Sequence, residues 1–377
     1  MKPLNRFEPM GFDASRAAAG MQSRNLSAML LTSPENVYYT TGYTTLPSAG
    51  NPILYMLRNR LPHFSLVTAD GKVRLLCWAF STWEMEFGVD EVIGFNNLQE
   101  GIEALQKALK DVAAGAGGLG VESTCPYYVL QAIEGAVGAV RPSVADDLMD
   151  ELRLIKSDEE VACLQKSLDI IEATCGELYD TLYLGMGRNE LTREAKSRLM
   201  RNGCDGISHL TFSFAQANPE YDIDEKLEVN KLVTLDLGGI YRGYCSDNRR
   251  YAYAGKVPAS LQERYEQMVE IVDAVGAALV PGASYASLMQ LARDLYARHK
   301  IDPLGRFNHV GHNIGLETEE RWLDDAAGEV LAGMVINIEL YSKAETGEQI
   351  GDEETYLIGA DGPRRISSLP REIREIG

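Results

Sequence analysis

A two-domain α/β protein is the fold class this sequence predicts, and three observations carry the prediction. The 377 residues suffice for two substantial cores. From Ala17 to about Pro142, segments with helical spacing alternate with short apolar runs that read as strands. A charged stretch from Asp146 then leads to a helix-capping signal at Ser157 to Glu160, where a new series of long helices and strands begins. The expected domains are 1–149 and 150–377.

In the first domain, Leu26 to Leu31 is a mostly apolar run closed by Ser33-Pro34. Leu66-Val67 and Val73 to Cys77 flank the turn pair Asp70-Gly71, so a hairpin is expected there. Ile102, Leu105, Leu109 and Val112 fall at helical spacing and predict a helix over Leu98 to Ala113. The cluster Gly115-Ala-Gly-Gly-Leu-Gly120 follows this helix and leads into a strand at Leu119 to Val121. A phosphate-binding glycine loop has the opposite order, strand and then helix, so this cluster reads as a connector.

In the second domain, Ser157 with Glu160 forms a capping box, and Val161, Leu164, Leu168 and Ile171 repeat at helical spacing behind it. A further helix starts near Asn189, has apolar positions at Leu191, Ala195 and Leu199, and ends at Gly203. The β-branched and aliphatic run Leu232 to Leu235 predicts a strand, and Gly238, Gly239 and Gly243 ease a reversal after it. If the chain turns back between Tyr241 and Arg242, Asp236 and Asp247 become directly opposed on one sheet face. Helices are expected over Ser260 to Leu279 and Tyr285 to His299, with Pro281-Gly282 between them, and strands over Met334 to Leu340 and Glu354 to Gly359. No internal repeat or low-complexity tract stands out.

Composition narrows the function. Lysine plus arginine total 36 against 55 aspartate plus glutamate, a formal net charge of −19. So acidic a chain argues against nucleic acid and anionic membranes as partners. The six cysteines are scattered without a Cys-x-x-Cys pair and read as reduced thiols. Met1 to Met10 lacks the apolar core of a signal peptide, and no run is long enough to span a bilayer, so a cytoplasmic protein without an anchor is expected.

The candidate chemistry lies in carboxylates. Opposed side chains on a sheet start about 5 Å apart, so ionised Asp236 and Asp247 would repel unless a cation lay between them. A divalent metal is one answer, and a solvated acidic hairpin is the blander one. Glu339 interrupts an apolar strand, where an unpaired charge is costly to bury, so it needs either water or a cationic partner. Glu353 directly precedes another strand, and His312 sits in Gly311-His-Asn-Ile-Gly315. His63 reads as a core residue and His299 as a positive partner of a helix C-terminus. His209, in Ser208-His-Leu-Thr-Phe-Ser-Phe, reads either as a substrate contact or as packing.

Leu-Asp236-Leu-Gly-Gly, Ser-Asp247, Gly-His312-Asn-Ile-Gly-Leu-Glu, Gly333-Met-Val-Ile-Asn-Ile-Glu339 and Glu353-Glu-Thr-Tyr-Leu stand in the order of the peptidase M24 family, which the chain resembles. That family includes Xaa-Pro aminopeptidases, prolidases, methionine aminopeptidases and creatinase-type enzymes. Thr32 to Gly42 looks like part of the creatinase/prolidase N-terminal domain, and Leu152 to Glu160 like its junction with the catalytic domain. The resemblance implies a creatinase/prolidase-type N-terminal domain followed by a C-terminal pita-bread catalytic domain with a binuclear metal centre. Its ligands would be Asp236, Asp247, His312, Glu339 and Glu353, a set of formal charge about −4 that two divalent ions of Mn, Co, Fe or Zn would neutralise. Two such ions activate water at neutral pH and polarise the bond it attacks. In that scheme Asp247 and Glu353 bridge, Asp236 holds one ion, His312 and Glu339 hold the other, and Glu339 also shuttles a proton.

Departures from the family pattern shape the substrate expectation. The family's further histidines correspond here to Pro219, Asn308 and Glu319, its arginine two residues before the last glutamate to Gly351, and its threonine two after the second aspartate to Arg249. One expectation is a shifted peptidase site, with catalytic roles for Glu339, His312 and Glu319 and substrate contacts from His209, Asn308, His309 and Trp322. The alternative is a non-peptidase member acting on a small zwitterion, similar to dimethylsulfoniopropionate lyase, creatinase or ectoine hydrolase. A non-catalytic binding protein is a third reading, disfavoured by the retention of all five ligand positions. Trp322 with Asp324 and Asp325 forms either a specificity rim or a solvated loop, and Tyr38, Tyr39 and Tyr43 either border the pocket or pack the core. The implied partners are a small peptide or zwitterion and a second copy of the chain in a homodimer.

Overall fold

The computed structural model describes residues 6–112, 117–138, 141–215, 221, 223–305, 307–345 and 347–377. In it the apolar runs become the centres of three sheets, of six, five and five strands. The chain divides into two units, Met1–Arg153 and Leu154–Gly377.

In the first unit, β1 (Leu26–Leu31), β2 (Phe64–Thr68), β3 (Val73–Trp78), β4 (Glu91–Phe95), β5 (Gly118–Val121) and β6 (Ser143–Val144) lie in the order β4-β3-β2-β1-β5-β6. Val67 pairs with Val73 across the Asp70-Gly71 turn, where Gly71 has a φ of 82°. The longer helices are α1 (Ala14–Ser23), α2 (Pro34–Thr41), α3 (Leu98–Val112), α4 (Tyr127–Val137) and α5 (Asp146–Leu154). Leu105, Leu109, Val129 and Ile133 of α3 and α4 cover Ala28, Leu30 and Leu66 of the sheet. Ala113 and Gly115, named above in the helix and the glycine connector, fall outside the described residues.

The second unit runs the order helix, helix, strands twice over, a repeat with no counterpart in the residues themselves. Its first half holds α6 (Asp158–Tyr179), α7 (Arg188–Arg201), β7 (Gly206–Ser213), β8 (Leu232–Tyr241), β9 (Tyr244–Cys245) and β10 (Asn248–Ala254). Its second half holds α8 (Ala259–Ala277), α9 (Tyr285–His299), β11 (His309–Asn313), β12 (Arg321–Asp324), β13 (Val335–Lys343), β14 (Gln349–Gly359), β15 (Gly362–Arg365) and β16 (Ile373–Ile376). The capping box opens α6 as expected: Glu160 N donates to Ser157 Oγ at 3.2 Å and Ser157 N to Glu160 Oε2 at 2.7 Å. In the first sheet β8 lies between β7 and β10, both antiparallel to it, and β16 runs parallel along β10. The second sheet has the order β12-β11-β13-β14-β15 and is covered by α8 and α9 through Ile271, Val275, Leu288 and Met289. Arg250 Nη1 and Asn248 Nδ2 of β10 donate to the Glu353 carbonyl of β14, at 3.2 and 3.4 Å, and so tie the two sheets together. All six cysteines are free, and among the described residues no helix is long and apolar enough to cross a membrane.

Two expectations need correcting. The hairpin reverses at Arg242-Gly243, one residue later than expected, with φ of 49° and 89°, the left-handed pair that a tight two-residue hairpin turn demands. Its register therefore sets Asp236 opposite Arg249, and Asp247 lies two residues short of the opposed position. The second correction concerns β14, which begins at Gln349 rather than Glu354, so Glu353 lies inside the strand and pairs directly with Glu339. The opposed carboxylates are Glu339 and Glu353, not Asp236 and Asp247.

Candidate functional site

Strand alternation turns Asp236 of β8, Glu339 of β13 and Glu353 of β14 into the space between the two sheets, where Asp247 and His312 join them. The five form one connected cluster. His312 Nε2 lies 3.8 Å from Asp247 Oδ2 and 4.0 Å from Glu339 Oε1, and Asp247 is hydrogen-bonded to Glu353. The Tyr341 hydroxyl donates to Glu339 Oε2 at 2.8 Å and stands 3.3 Å from Glu353 Oε2, while Asn337 Nδ2 donates to Glu353 Oε1 at 2.6 Å. Asp236, Asp247, His312 and Glu353 are all buried.

Two nitrogen-bearing side chains meet the Asp236 end. His209 Nε2 stands 3.1 Å from Asp236 Oδ1 and 3.1 Å from Asp247 Oδ1. Among the described residues, these three are the group of His, Cys, Asp or Glu whose ligand atoms all lie within 4.8 Å of one another. Gly238 makes the room: it pairs with His209 across β7 and β8, and a Cβ there would come within 2.3 Å of the imidazole. On the other side Arg249 Nε donates to Asp236 Oδ2 at 3.0 Å, Nη2 reaches the same oxygen, and the guanidinium lies 4.2 Å from the centre of the Tyr341 ring. Tyr341 lies there because its partner Gly351 has no side chain, since a Cβ would meet Tyr341 Cδ1 at 2.0 Å. Where the family pattern has an arginine this chain has Gly351, as the sequence indicated, and a guanidinium arrives from Arg249 instead.

The charges explain the protonation tendencies. Burial alone would lower the His209 imidazole, but the Asp247 charge and hydrogen bonds to both aspartates hold it well above its usual value. Burial would raise Asp247, yet His209 and His312 draw it down to about 2. Glu353 is pushed well above the carboxylate range by burial and then by Asp247, Asp236 and Glu339, and burial raises Glu339 as well. Carboxylates crowded this closely favour a bound cation. Oxygen and imidazole donors about 3–4 Å apart suit a first-row divalent ion with bonds near 2.1 Å, so the residues present fit such a group.

The remaining expected site residues divide. His309 Nδ1 lies 3.9 Å from Glu339 Oε1, is buried and has no hydrogen-bond partner, and its ring lies 4.1 Å from that of Trp322. Burial, then the neighbouring His312, lowers His309 to about 4. Trp322 also stands edge-on to His312. Asn308 and Glu319 are exposed and make none of the cluster's contacts described above, and Pro219 lies outside the described residues. Asp325 is held by Arg293 at 2.5 Å and Asp324 accepts from Ala326 N at 2.8 Å, so that acidic loop has its own partners. Tyr39 and Tyr43 are buried, bonded to the Leu152 carbonyl at 2.9 Å and to Ser81 at 2.5 Å, and belong to the core. His63 is buried too, and His299 pairs with Glu270 at 3.4 Å. Sequence reasoning missed Tyr341 and the role of Arg249. Tyr341 stands two residues beyond Glu339 on the same strand face, a spacing that could have found it.

Residues 162–360 match metallopeptidase family M24, and residues 14–155 match the creatinase/prolidase N-terminal domain. An Xaa-Pro dipeptidase of Pyrococcus horikoshii is 26% identical over 362 residues, spanning 94% of this chain and 96% of that protein. An uncharacterized peptidase of Bacillus subtilis, YqhT, is 28% identical over 361 residues, spanning 92% and 95%. A dipeptidase structure from Pyrococcus horikoshii has a TM-score of 0.83 at 21% identity and covers 96% of this chain and 99% of that one, a likeness of fold.

Proposed function

The chain belongs to metallopeptidase family M24, and from that premise we propose that it is a hydrolase using two divalent ions to cleave a C–N bond in a small peptide, nearest in kind to an Xaa-Pro dipeptidase. The observation that carries this reading is the connected cluster of Asp236, Asp247, His312, Glu339 and Glu353 between the two sheets. Asp236, Asp247, His312, Glu339 and Glu353 would hold the two ions. Ions of Mn, Co, Fe or Zn bound there would polarise the scissile carbonyl and supply activated water at neutral pH.

The chain's own residues do the rest. Tyr341 and Asn337 hold Glu339 and Glu353 in fixed rotamers through the hydrogen bonds described above. Glu339 would take a proton from the attacking water at its carboxylate and return it to the departing nitrogen. His309 is neutral at physiological pH, and its unpartnered Nδ1 is available to the substrate carbonyl as it gains negative charge. Its tilted ring contact with Trp322 holds the ring in place, which supplies a substrate contact where the family's usual histidine is replaced by Asn308. The test is hydrolysis of Xaa-Pro dipeptides and tripeptides by protein loaded with each of the four metals. Turnover that depends on metal and disappears in Asp247→Ala and His312→Ala is expected; no turnover with any of the four rejects the proposal.

A further inference from the structure

The five-residue ligand set places its single nitrogen donor, His312, at one end of the cluster. His209 stands at the other end, with Nε2 at 3.1 Å from one oxygen each of Asp236 and Asp247. Adjacent donors around an ion with bonds near 2.1 Å are about 3 Å apart, so these three atoms have the spacing of one face of a coordination shell. Three independent features hold them so. The missing side chain of Gly238 leaves the volume that the imidazole fills. Ser208 Oγ lies 3.1 Å from Nδ1 and leaves Nε2 facing the aspartates, the arrangement by which a ligating histidine is commonly oriented. Arg249 occupies Asp236 Oδ2, which leaves Oδ1 on the side of His209.

We propose that His209 is itself a metal ligand, forming with Asp236 and Asp247 a nitrogen-bearing site at that end of the cluster. Each of the two ions then has one imidazole, which tilts the Asp236 end from manganese towards zinc or cobalt, since imidazole suits those metals better than an all-oxygen shell does. Arg249 is a positioning residue in this arrangement: it acts on the ion through Asp236. The inference rests on the reading that the chain binds divalent ions, and the experiment separates the two.

Titrate the full chain, stripped of metal, with Zn(II) and Co(II), following stoichiometry and affinity by calorimetry and the visible Co(II) bands by absorption. His209→Ala and the bulkier His209→Gln are compared with wild type, and circular dichroism and thermal melting report their folding. The wild type is expected to bind two ions, and both variants to hold one of them at least about 100-fold more weakly, the other within about 3-fold, with altered Co(II) bands. Two ions bound with unchanged affinity and spectrum in a folded variant overturn the role of His209 and leave the hydrolase proposal standing. Equal weakening of both ions also overturns it, because that marks collapse of the cluster rather than one lost donor. No binding by the wild type overturns both proposals.

Discussion

Arg250 is wholly buried, and replacing it tests how the catalytic unit balances charge in its interior. Its guanidinium donates to Glu354 Oε1 at 2.7 Å, to the Leu369 carbonyl at 2.8 Å and to the Glu353 carbonyl at 3.2 Å, and the side chains of the ion pair are 0% and 1% exposed. Arg371 lies beside them, 2.6 Å from Asp352 and 3.4 Å from Glu354, so two carboxylates face two guanidinium groups. Half-exposed Arg365 stands farther off, 3.9 Å from Glu354, and shares Asp273 with Arg371. Burial and the Glu354 charge already push Asp352 up to about 6, which shows how little positive charge is to spare. Arg250→Met leaves two carboxylates against one close guanidinium, and breaking a buried pair in this way costs about 3–5 kcal/mol. In a unit of this size 1 kcal/mol moves the midpoint by about 2–4 °C, so its melting should fall by roughly 6–20 °C. Arg250→Met combined with Glu354→Met restores a one-to-one balance and should recover most of that loss. Scanning calorimetry of the transition belonging to Leu154–Gly377 measures both variants. A single variant melting within about 3 °C of wild type, or a double variant no more stable than the single, refutes the reasoning.

Further predictions concern the other buried groups. His63 is pushed down to about 4, first by burial and then by Arg58, whereas in the unfolded chain it titrates near 6.5. The unfolded state therefore binds a proton that the folded state refuses, so stability is lost as pH falls from about 6.5 to 4, by ~3 kcal/mol in total. Denaturant unfolding of the first unit at pH 7 and pH 4.5 should show a smaller difference for His63→Gln, and an equal difference would refute this. Gly311→Ala places a Cβ 2.0 Å from Asn337 O and 2.8 Å from Ile338 Cα at a φ of 151°, which forces β11 away from β13 and carries His312 with it. At least about 2 kcal/mol of stability and most of the metal affinity should be lost, measured by melting and by Mn(II) calorimetry, and wild-type values in both would sink the argument. Arg249→Lys keeps the charge but loses the paired contacts to Asp236 and the cation–π contact with Tyr341, so on the proposed hydrolase reading kcat for an Xaa-Pro dipeptide should fall about tenfold or more with KM little changed; an unchanged kcat would refute the positioning role.

Most of the fold was legible where a segment stabilises itself or buries a regular stripe. The boundaries expected for Leu26 to Leu31 and for Tyr285 to His299 are those observed: the strand's apolar residues are buried on both faces, and Leu288, Met289, Ala292 and Leu295 of the helix face one core. The capping box at Ser157 and Glu160 works for a similar reason, since both of its hydrogen bonds are local. β14 was cut short because Gln349 to Glu353 is a polar run that reads as a loop. What makes it a strand is compensation from elsewhere: Asp352 by Arg371, and the Glu353 carbonyl by Arg250 and Asn248. No local pattern carries that information. The hairpin was placed one residue early because Arg242 takes a left-handed conformation that its residue type does not advertise.

That one-residue error bears on the site more than on the fold. A turn centred between Tyr241 and Arg242 sets two carboxylates face to face and makes a cation from solution seem necessary there. The observed turn sets Asp236 opposite Arg249, so a guanidinium of the chain itself meets one of its oxygens, while Glu339 and Glu353 become the pair in direct opposition. The five acidic and imidazole positions could be named in order along the chain, but their pairing depends on register, which belongs to strand partners distant in sequence. Gly238 and Gly351 show the same dependence from the other direction. Each looks like conformational freedom in a strand, yet neither has a positive φ; each is small because an aromatic ring from the neighbouring strand, His209 in one case and Tyr341 in the other, takes the volume its side chain would need.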